Sequence, residues 1–189
     1  MAGNRFLTRL DIDDRELVRR ALAGLTDDFR VLVDRHQHSV FRFASGLVGN
    51  REEAQDVTQE AFLAAFANLS AYDSSRAAFS TWLFTIARNR CLNLLKQRRP
   101  IAHNEMDSIE HVASADPIVS QELSQQLDRA LSALPVEQRS AFVLAEIEEL
   151  PYAEIARIEQ TTLGTVKSRI HRAKQRLQSL LEPVVRDSK

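Results

Sequence analysis

The sequence predicts an all-helical protein built from two small units joined by a linker. Only five glycines and five prolines occur among its 189 residues, so few residues interrupt a helix. Long stretches place apolar residues at the 3.6-residue helical period, and none shows the strict alternation of a half-buried strand. A polar, acidic stretch separates the helical regions. We therefore expect a first unit at residues 1–100, a flexible linker at 101–120 and a second unit at 121–189.

Three helices are expected in the first part of the chain. The first spans Arg15–Leu25 and the second Phe29–Val48, each after a pair of aspartates that favours a helix start. Gly49 can adopt the left-handed conformation that ends the second helix. Asn50 can cap the third helix, Arg51–Leu69. Apolar residues at helical spacing predict that the three helices share one core.

The third helix has an acidic outer face. Its inward stripe includes Val57 and Ala61, and we expect Phe62 and Phe66 to extend that stripe. The opposite face carries Glu52, Glu53, Asp56, Gln59, Glu60 and Leu63. An acidic face with one leucine indicates a docking surface for a basic protein partner. The alternative is a solvated face whose carboxylates stabilise the positive end of the helix.

The helix expected at Phe79–Arg99 is the most informative stretch, because it is amphipathic and basic. Ser80 can cap it and Pro100 ends it. Its polar face carries Trp82, Thr85, Arg88, Asn89, Asn93 and Lys96. Six basic residues and no acidic one lie between Asp73 and Glu105. This face suits nucleic acid, since cations neutralise phosphates, amides bond base edges and a ring stacks on an unpaired base. A core helix with a solvated basic face is the alternative.

The second unit predicts a helix-turn-helix. A helix from Gln121 ends at Pro135, a second spans Val136–Glu149, and Pro151 starts a short third helix. After a break at about residues 159–162, the last helix spans Leu163–Leu181. Its outward residues are Thr165, Lys167, Ser168, Arg169, His171, Arg172, Lys174 and Arg176. Such side chains can reach base edges and phosphates when the second helix lies in a major groove.

The bulk charge is small but unevenly distributed. Hydrophobic residues make up 44% of the chain and charged residues 27%, as in soluble globular proteins. The net charge of −1 hides +3 over residues 1–100, −4 over 101–120 and zero over 121–189. Local charged patches therefore decide which partners bind, because salt limits the range of electrostatic interactions between exposed charges to about 8 Å. No signal-peptide core or membrane-length apolar run is present, which favours a cytoplasmic protein without membrane insertion.

Candidate catalytic and metal-binding groups are sparse. The one cysteine, Cys91, can form neither an intramolecular disulfide nor a multi-thiolate metal site. The five histidines show no metal-ligand spacing, and no phosphate loop or nucleophile–base motif occurs. We therefore expect no metal, no cofactor and no enzymatic activity.

Two motifs make the chain resemble the extracytoplasmic-function (group 4) sigma factors, small bacterial subunits that direct RNA polymerase to promoters. The first motif is GNREEAQDVTQEAF, followed by FSTWLFTIARNRCLNLLKQRR. The second is LPVEQRSAFVLAEIEELPYAEIA, followed by GTVKSRIHRAKQRL. The resemblance covers nearly the whole chain. It implies that the first unit is sigma region 2, the second is sigma region 4, and the fold is helical throughout.

The resemblance also implies a role for each surface. The residues that match the surface for the clamp helices of the polymerase large subunit are Glu53, Asp56, Gln59, Glu60 and Leu63. Those that match the loop and helix for the −10 promoter element are Tyr72, Asp73, Ser74, Ser75, Arg76, Trp82, Thr85, Arg88, Asn89, Asn93 and Lys96. The helix-turn-helix would read the −35 element, with its unit next to the polymerase flap. An anti-sigma factor that covers these faces is a further implied partner.

The turn of the helix-turn-helix departs from the family pattern. Many members have Leu-Gly-Val where this chain has Glu159, Gln160 and Thr161. A left-handed glutamine costs roughly 1 kcal/mol, so we predict a less stable second unit. A different kind of helix-turn-helix regulator, with a helical effector domain, would explain residues 121–189 equally well. It would not explain the acidic and basic helices of the first unit.

Overall fold

The structure, a computed structural model, describes residues 12–98 and 119–187, and within these ranges it contains helices and no strand. The prediction of an all-helical fold is confirmed for these residues. The helices of the first unit are α1 (Asp14–Leu22), α2 (Asp27–Val48), α3 (Arg51–Ala67) and α4 (Phe79–Arg98). Those of the second are α5 (Val119–Ser132), α6 (Val136–Phe142), α7 (Tyr152–Ile158) and α8 (Leu163–Asp187). The linker expected at 101–120 lies outside the described residues, except that α5 already begins at Val119.

Side-chain caps and one glycine set the helix ends of the first unit, as the sequence predicts. The Asp13 carboxylate accepts the Glu16 N–H at 2.8 Å at the start of α1. Gly49 ends α2 at φ 70°, in the left-handed region. The Asn50 side chain accepts the Glu53 N–H at 3.1 Å and starts α3.

Ser80 does not cap α4, so that prediction is wrong. The helix already begins at Phe79. The Ala78 carbonyl accepts the N–H of Trp82 at 3.1 Å, which places Ser80 inside the first turn. The loop before α4 provides no side-chain cap at Ala78, and the sequence pattern favoured the nearest serine instead.

Helices α1–α4 enclose the core of the first unit. Its fully buried large side chains are Leu17, Leu32, Val40, Phe43, Leu47, Phe79 and Leu83. Phe62 is buried as expected, but Phe66 is 47% exposed, so its predicted inward position is wrong. Leu22 and Leu25 are also exposed, because α1 ends at Leu22 and Gly24, at φ 98°, turns the chain away from the helix axis.

The second unit is a helix-turn-helix with a strained turn. Val166, Ile170, Ala173 and Leu177 of α8 are buried, as their spacing predicts. Helix α6 continues as a π-helical segment, Val143–Ile147, before the chain turns into α7. Gln160, in the turn between α7 and α8, has φ 51°. The expectation that this glutamine is left-handed is therefore confirmed.

The two units pack against each other. One continuous hydrophobic core joins residues of α2 and α4 to Val143, Leu144, Ile155 and Ile158 of the second unit. Gly46 lies in this contact, because a Cβ at that position would approach Val143 Cγ2 to 3.0 Å. Helices α7 and α4 are direct neighbours. The sequence alone leaves open whether the units are splayed or packed, and the structure packs them.

Candidate polymerase and nucleic-acid interfaces

The outer face of α3 is exposed and acidic, as the sequence predicts. Asp56, Gln59 and Glu60 lie in solvent, and Leu63 is 62% exposed. Glu53 is half-buried and pairs with Arg98 of α4. It therefore ties α3 to α4 and is less available to a partner than Asp56 and Gln59. Glu60 remains exposed but also has a partner on α4, Arg90, at 3.3 Å.

An apolar groove lies beside the acidic face, between α2 and α3. It has a volume of about 920 Å³ and is lined by Phe29, Phe41, Phe62, Leu63 and Phe66 together with polar residues that include Gln59. The rings of Phe29 and Phe66 meet edge-on at 4.9 Å. The groove was not predicted, because helical spacing alone assigned Phe66 to the core. Two phenylalanines four residues apart at the end of the inward stripe are the signal that could have indicated it.

The loop between α3 and α4 is ordered by its own side chains. The Asp73 carboxylate accepts hydrogen bonds from the hydroxyl of Ser75 at 2.7 Å and from its backbone N–H at 2.9 Å. These bonds, with the nearby charge of Arg76, lower the pKa of Asp73. The Tyr72 hydroxyl donates to the Ala77 carbonyl at 3.1 Å. Asp73, Ser75 and Arg76 remain exposed, so the loop presents a fixed set of polar groups.

A small hollow opens next to this loop. It has a volume of about 350 Å³, and Tyr72 and Ser74 line it together with α1 residues such as Arg15 and Leu22. The Tyr72 ring also contacts the ring of Trp82, at 5.4 Å between centroids. The structure thus brings the predicted −10 loop and the aromatic residue of α4 into one cluster.

The polar face of α4 is divided between solvent and the second unit. Asn89, Asn93 and Lys96 are exposed, and Trp82 is half-buried. The hydroxyl of Thr85 donates to the Thr81 carbonyl within the helix at 2.9 Å. The Arg88 side chain is only 11% exposed, and its Nε lies 3.8 Å from Glu159 of the second unit. Arg88 is therefore a predicted DNA contact on α4 that the structure largely withdraws from solvent.

Helix α8 presents the predicted −35 residues on one side. Thr162 caps its start, because its Oγ1 accepts the Thr165 N–H at 3.1 Å. Lys167, Ser168, His171, Arg172 and Arg176 are exposed.

Two predicted −35 residues are already paired. Lys174 pairs with Glu146 at 2.8 Å, and the hydrogen bond with that carboxylate raises the pKa of the lysine. Arg169 Nη1 donates to Glu159 Oε2 at 2.6 Å. The outward face of α8 thus divides into free groups and groups held by carboxylates of its own unit.

Other kinds of site are not evident in the described ranges. Within residues 12–98 and 119–187, no group of three or more histidine, cysteine or carboxylate side chains could hold a metal ion. The helices of the same ranges are too short or too polar to cross a bilayer. Cys91 is fully buried, and this burial raises its pKa to about 12.

Comparisons with known proteins match both units. The Sigma-70 region 2 family matches residues 32–101, and the Sigma-70 region 4 family matches residues 124–177. The chain is 32% identical over 180 residues to the ECF RNA polymerase sigma factor SigW of Bacillus subtilis, covering 88% of this chain and 96% of the relative. It is 34% identical over 188 residues to the ECF RNA polymerase sigma-E factor of Escherichia coli, covering 93% and 97%.

Two solved structures are similar to this chain. One is CnrH in complex with the cytosolic domain of CnrY, with a TM-score of 0.71 and 26% identity, covering 90% of this chain and 97% of that chain. The other is the sigma factor RpoE of Bartonella quintana in complex with the anti-sigma factor NepR. Its TM-score is 0.70 at 29% identity, with coverage of 82% and 97%.

Proposed function

The chain belongs to the extracytoplasmic-function (ECF) RNA polymerase sigma factors, and from this premise we propose which of its surfaces bind the polymerase, the promoter and a regulator. As an ECF sigma factor it binds core RNA polymerase, directs it to specific promoters and helps to open the duplex. We assign these tasks to residues 1–100 and 121–189, with 101–120 as the connection.

The exposed face of α3 is the proposed polymerase-docking surface. Asp56, Gln59 and Glu60 offer acceptors to a basic partner, and Leu63 offers an apolar anchor next to the groove. The exposed acidic face of α3, with the apolar groove beside it, is the observation that carries the proposal. It fits an amphipathic, basic helical element such as the clamp helices of the polymerase large subunit.

The loop at 72–78 and the polar face of α4 form the proposed −10 surface. The aromatic cluster of Tyr72 and Trp82 can stack on an unpaired base, and the hollow beside Ser74 has room for one. Binding flipped bases offsets the unstacking cost of a few kcal/mol per step. Asn89, Asn93 and Lys96 would contact the adjacent strand.

The outward face of α8 is the proposed −35 surface. Lys167, Arg172 and Arg176 are exposed cations near the start and middle of a capped helix, which is the part that enters the major groove in helix-turn-helix proteins. We place this unit next to the polymerase flap.

An anti-sigma factor is the proposed regulator. The Bartonella quintana sigma factor that resembles this chain was solved with the anti-sigma factor NepR. The seam between the two units is filled by the chain's own apolar core. The α2–α3 groove is open, so we propose that a regulator competes there with the polymerase.

Run-off transcription with core RNA polymerase on a library of promoter fragments tests these assignments. We expect specific transcripts only when the protein is present, and their shared upstream sequences would define both elements. Tight binding of the protein alone to one duplex, without transcripts, would instead identify a regulator that acts without the polymerase. Because ECF members regulate transcription rather than catalyse a reaction, we also propose that the chain has no catalytic activity and acts in the cytoplasm with its partners.

A further inference from the structure

Three glutamates of the second unit bind donors of the first unit. Glu148 accepts from the Arg42 guanidinium through both of its oxygens, each at 2.9 Å. The hydroxyl of Thr81, on α4, donates to Glu154 at 2.8 Å. The third glutamate, Glu159, lies beside Arg88 of α4. In each of these three contacts, a carboxylate of the second unit faces a hydrogen-bond donor of the first unit.

Glu159 connects two arginines that the sequence predicts as DNA contacts, Arg88 for the −10 element and Arg169 for the −35 element. Its side chain is fully buried, with Oε2 2.6 Å from Arg169 and Oε1 3.8 Å from Arg88. Arg169 is 24% exposed and Arg88 11%. A buried carboxylate requires compensation by such cations. The same carboxylate thus neutralises one predicted −10 contact and one predicted −35 contact.

The packed arrangement cannot engage both promoter elements. Arg88 and Arg169 both lie within 4 Å of one carboxylate. The −10 and −35 elements are about 25 base pairs apart, or roughly 85 Å at 3.4 Å per base pair. The units must therefore separate before both elements can be read. Separation removes Glu159 from Arg88, whereas the pair of Glu159 with Arg169 lies within the second unit and does not depend on closure.

We infer that Glu148, Glu154 and Glu159 form an acidic latch that holds the two units closed and keeps Arg88 from DNA until polymerase or promoter binding separates the units. The inference rests on the proposed DNA role of Arg88. Apolar packing of Val143 on Gly46 supports the closed form. The glutamates act as an internal competitor of the DNA phosphates, and the closed fraction lowers the apparent affinity for DNA.

Arg42 offers a way to open the latch without touching either DNA-binding surface. In Arg42→Glu, two carboxylates face each other at the position of the present ion pair with Glu148. The swap Arg42→Glu with Glu148→Arg restores an opposite-charge pair. Arg129→Glu is the matched control, because Arg129 is exposed on α5, away from the three latch contacts, and carries the same charge change.

The first measurement is the distance between the units in the full-length free protein. Nitroxide labels at Ala67→Cys and Gln175→Cys, both exposed positions, report this distance by pulsed electron paramagnetic resonance, and the fully buried Cys91 stays unlabelled. We expect one narrow distance for the parent and for Arg129→Glu. Arg42→Glu should give a broad, longer distribution, and the swap should restore the narrow one. A narrow distribution in Arg42→Glu, or a broad one in the parent, overturns the latch.

The second measurement is binding of the free protein to a fluorescein-labelled, mixed-sequence 40-base-pair duplex, used as a phosphate probe at about 50 mM salt. If the parent is closed in about 90% of molecules, opening strengthens the apparent affinity about 10-fold. If Arg42→Glu changed only the charge and did not open the units, the affinity for DNA would instead fall. If Arg42→Glu shows the longer distance but does not bind the duplex more tightly, the proposal that closure masks DNA contacts is overturned. Failure of the proposed function would show separately, as the absence of run-off transcripts with the parent protein.

Discussion

Replacing Gln160 by glycine should stabilise the protein, because Gln160 occupies a position at which glycine is preferred. The residue has φ 51° at the end of α7. Its N–H donates to the Arg157 carbonyl at 3.2 Å, and the Thr161 N–H donates to the Ala156 carbonyl at 3.0 Å. These two bonds are those of a Schellman motif, in which the left-handed residue is usually glycine.

The expected change in the free energy of unfolding follows from the backbone conformation of residue 160. A left-handed residue with a Cβ costs roughly 1–2 kcal/mol, and glycine returns about 0.5–1 kcal/mol of that through its greater freedom in the unfolded chain. The expected gain for Gln160→Gly is therefore about 0.5–1 kcal/mol. Because the side chain of Gln160 is exposed, its removal loses little packing. For a chain of this size the gain corresponds to a rise in Tm of roughly 1–4 °C.

Thermal and guanidinium unfolding, followed by circular dichroism, measure this difference. Gln160→Ala is the matched control, since it removes the same side chain but keeps the Cβ and therefore the strain. We expect no gain from alanine. Equal stability of the glycine and alanine variants would refute the reasoning, because side-chain loss and not backbone strain would then set the effect.

Three further predictions concern the proposed surfaces and the core. Asp56→Ala combined with Gln59→Ala should abolish binding to core polymerase with an unchanged Tm, measured by co-elution and thermal unfolding; unchanged affinity would remove the docking assignment. Arg172→Ala should weaken −35 binding by about 1–3 kcal/mol if it reaches a base, whereas a loss that is equal on all sequences and shrinks at high salt would assign it to phosphate. Burial raises the pKa of Cys91 to about 12, so at pH 8 Cys91 should react with a thiol reagent only after denaturant is added, and rapid reaction of the folded protein would contradict its burial.

Signals confined to a few neighbouring residues predicted the local structure well. Gly49 and Asn50 end one helix and start the next through their own backbone and side chain, and such effects need no tertiary information. The same local reasoning failed at Ser80, since the cap position of α4 lies two residues earlier, at Ala78, and it failed at Phe66. Whether a phenylalanine at the edge of an apolar stripe faces the core or a groove depends on the neighbouring helix, and helical spacing does not contain that information.

Contacts between residues far apart in the chain could not be predicted from the sequence. Arg42 and Glu148 are 106 positions apart, and each is an unremarkable charge on its own helix. The net charges of the two units also gave no indication, since the second unit is neutral overall. Its three pairing glutamates face the first unit, while its cations lie mainly on the outer side of α8. Only the packing of the second unit against both α2 and α4 places the glutamates and the cations on different sides.

The turn of the helix-turn-helix contains both the strained residue Gln160 and the latch residue Glu159. In the family pattern this turn has an apolar residue followed by glycine, an arrangement without strain and without charge. Here Gln160 adopts the left-handed conformation at a cost in stability, and Glu159, the residue before it, supplies the buried carboxylate that holds Arg88 and Arg169. A leucine at position 159 could fill the same space but could not neutralise two arginines in a buried contact. The turn that is predicted to weaken the second unit thus also supplies Glu159, one of the three glutamates of the proposed latch, which is the relation expected where stability is given up for control.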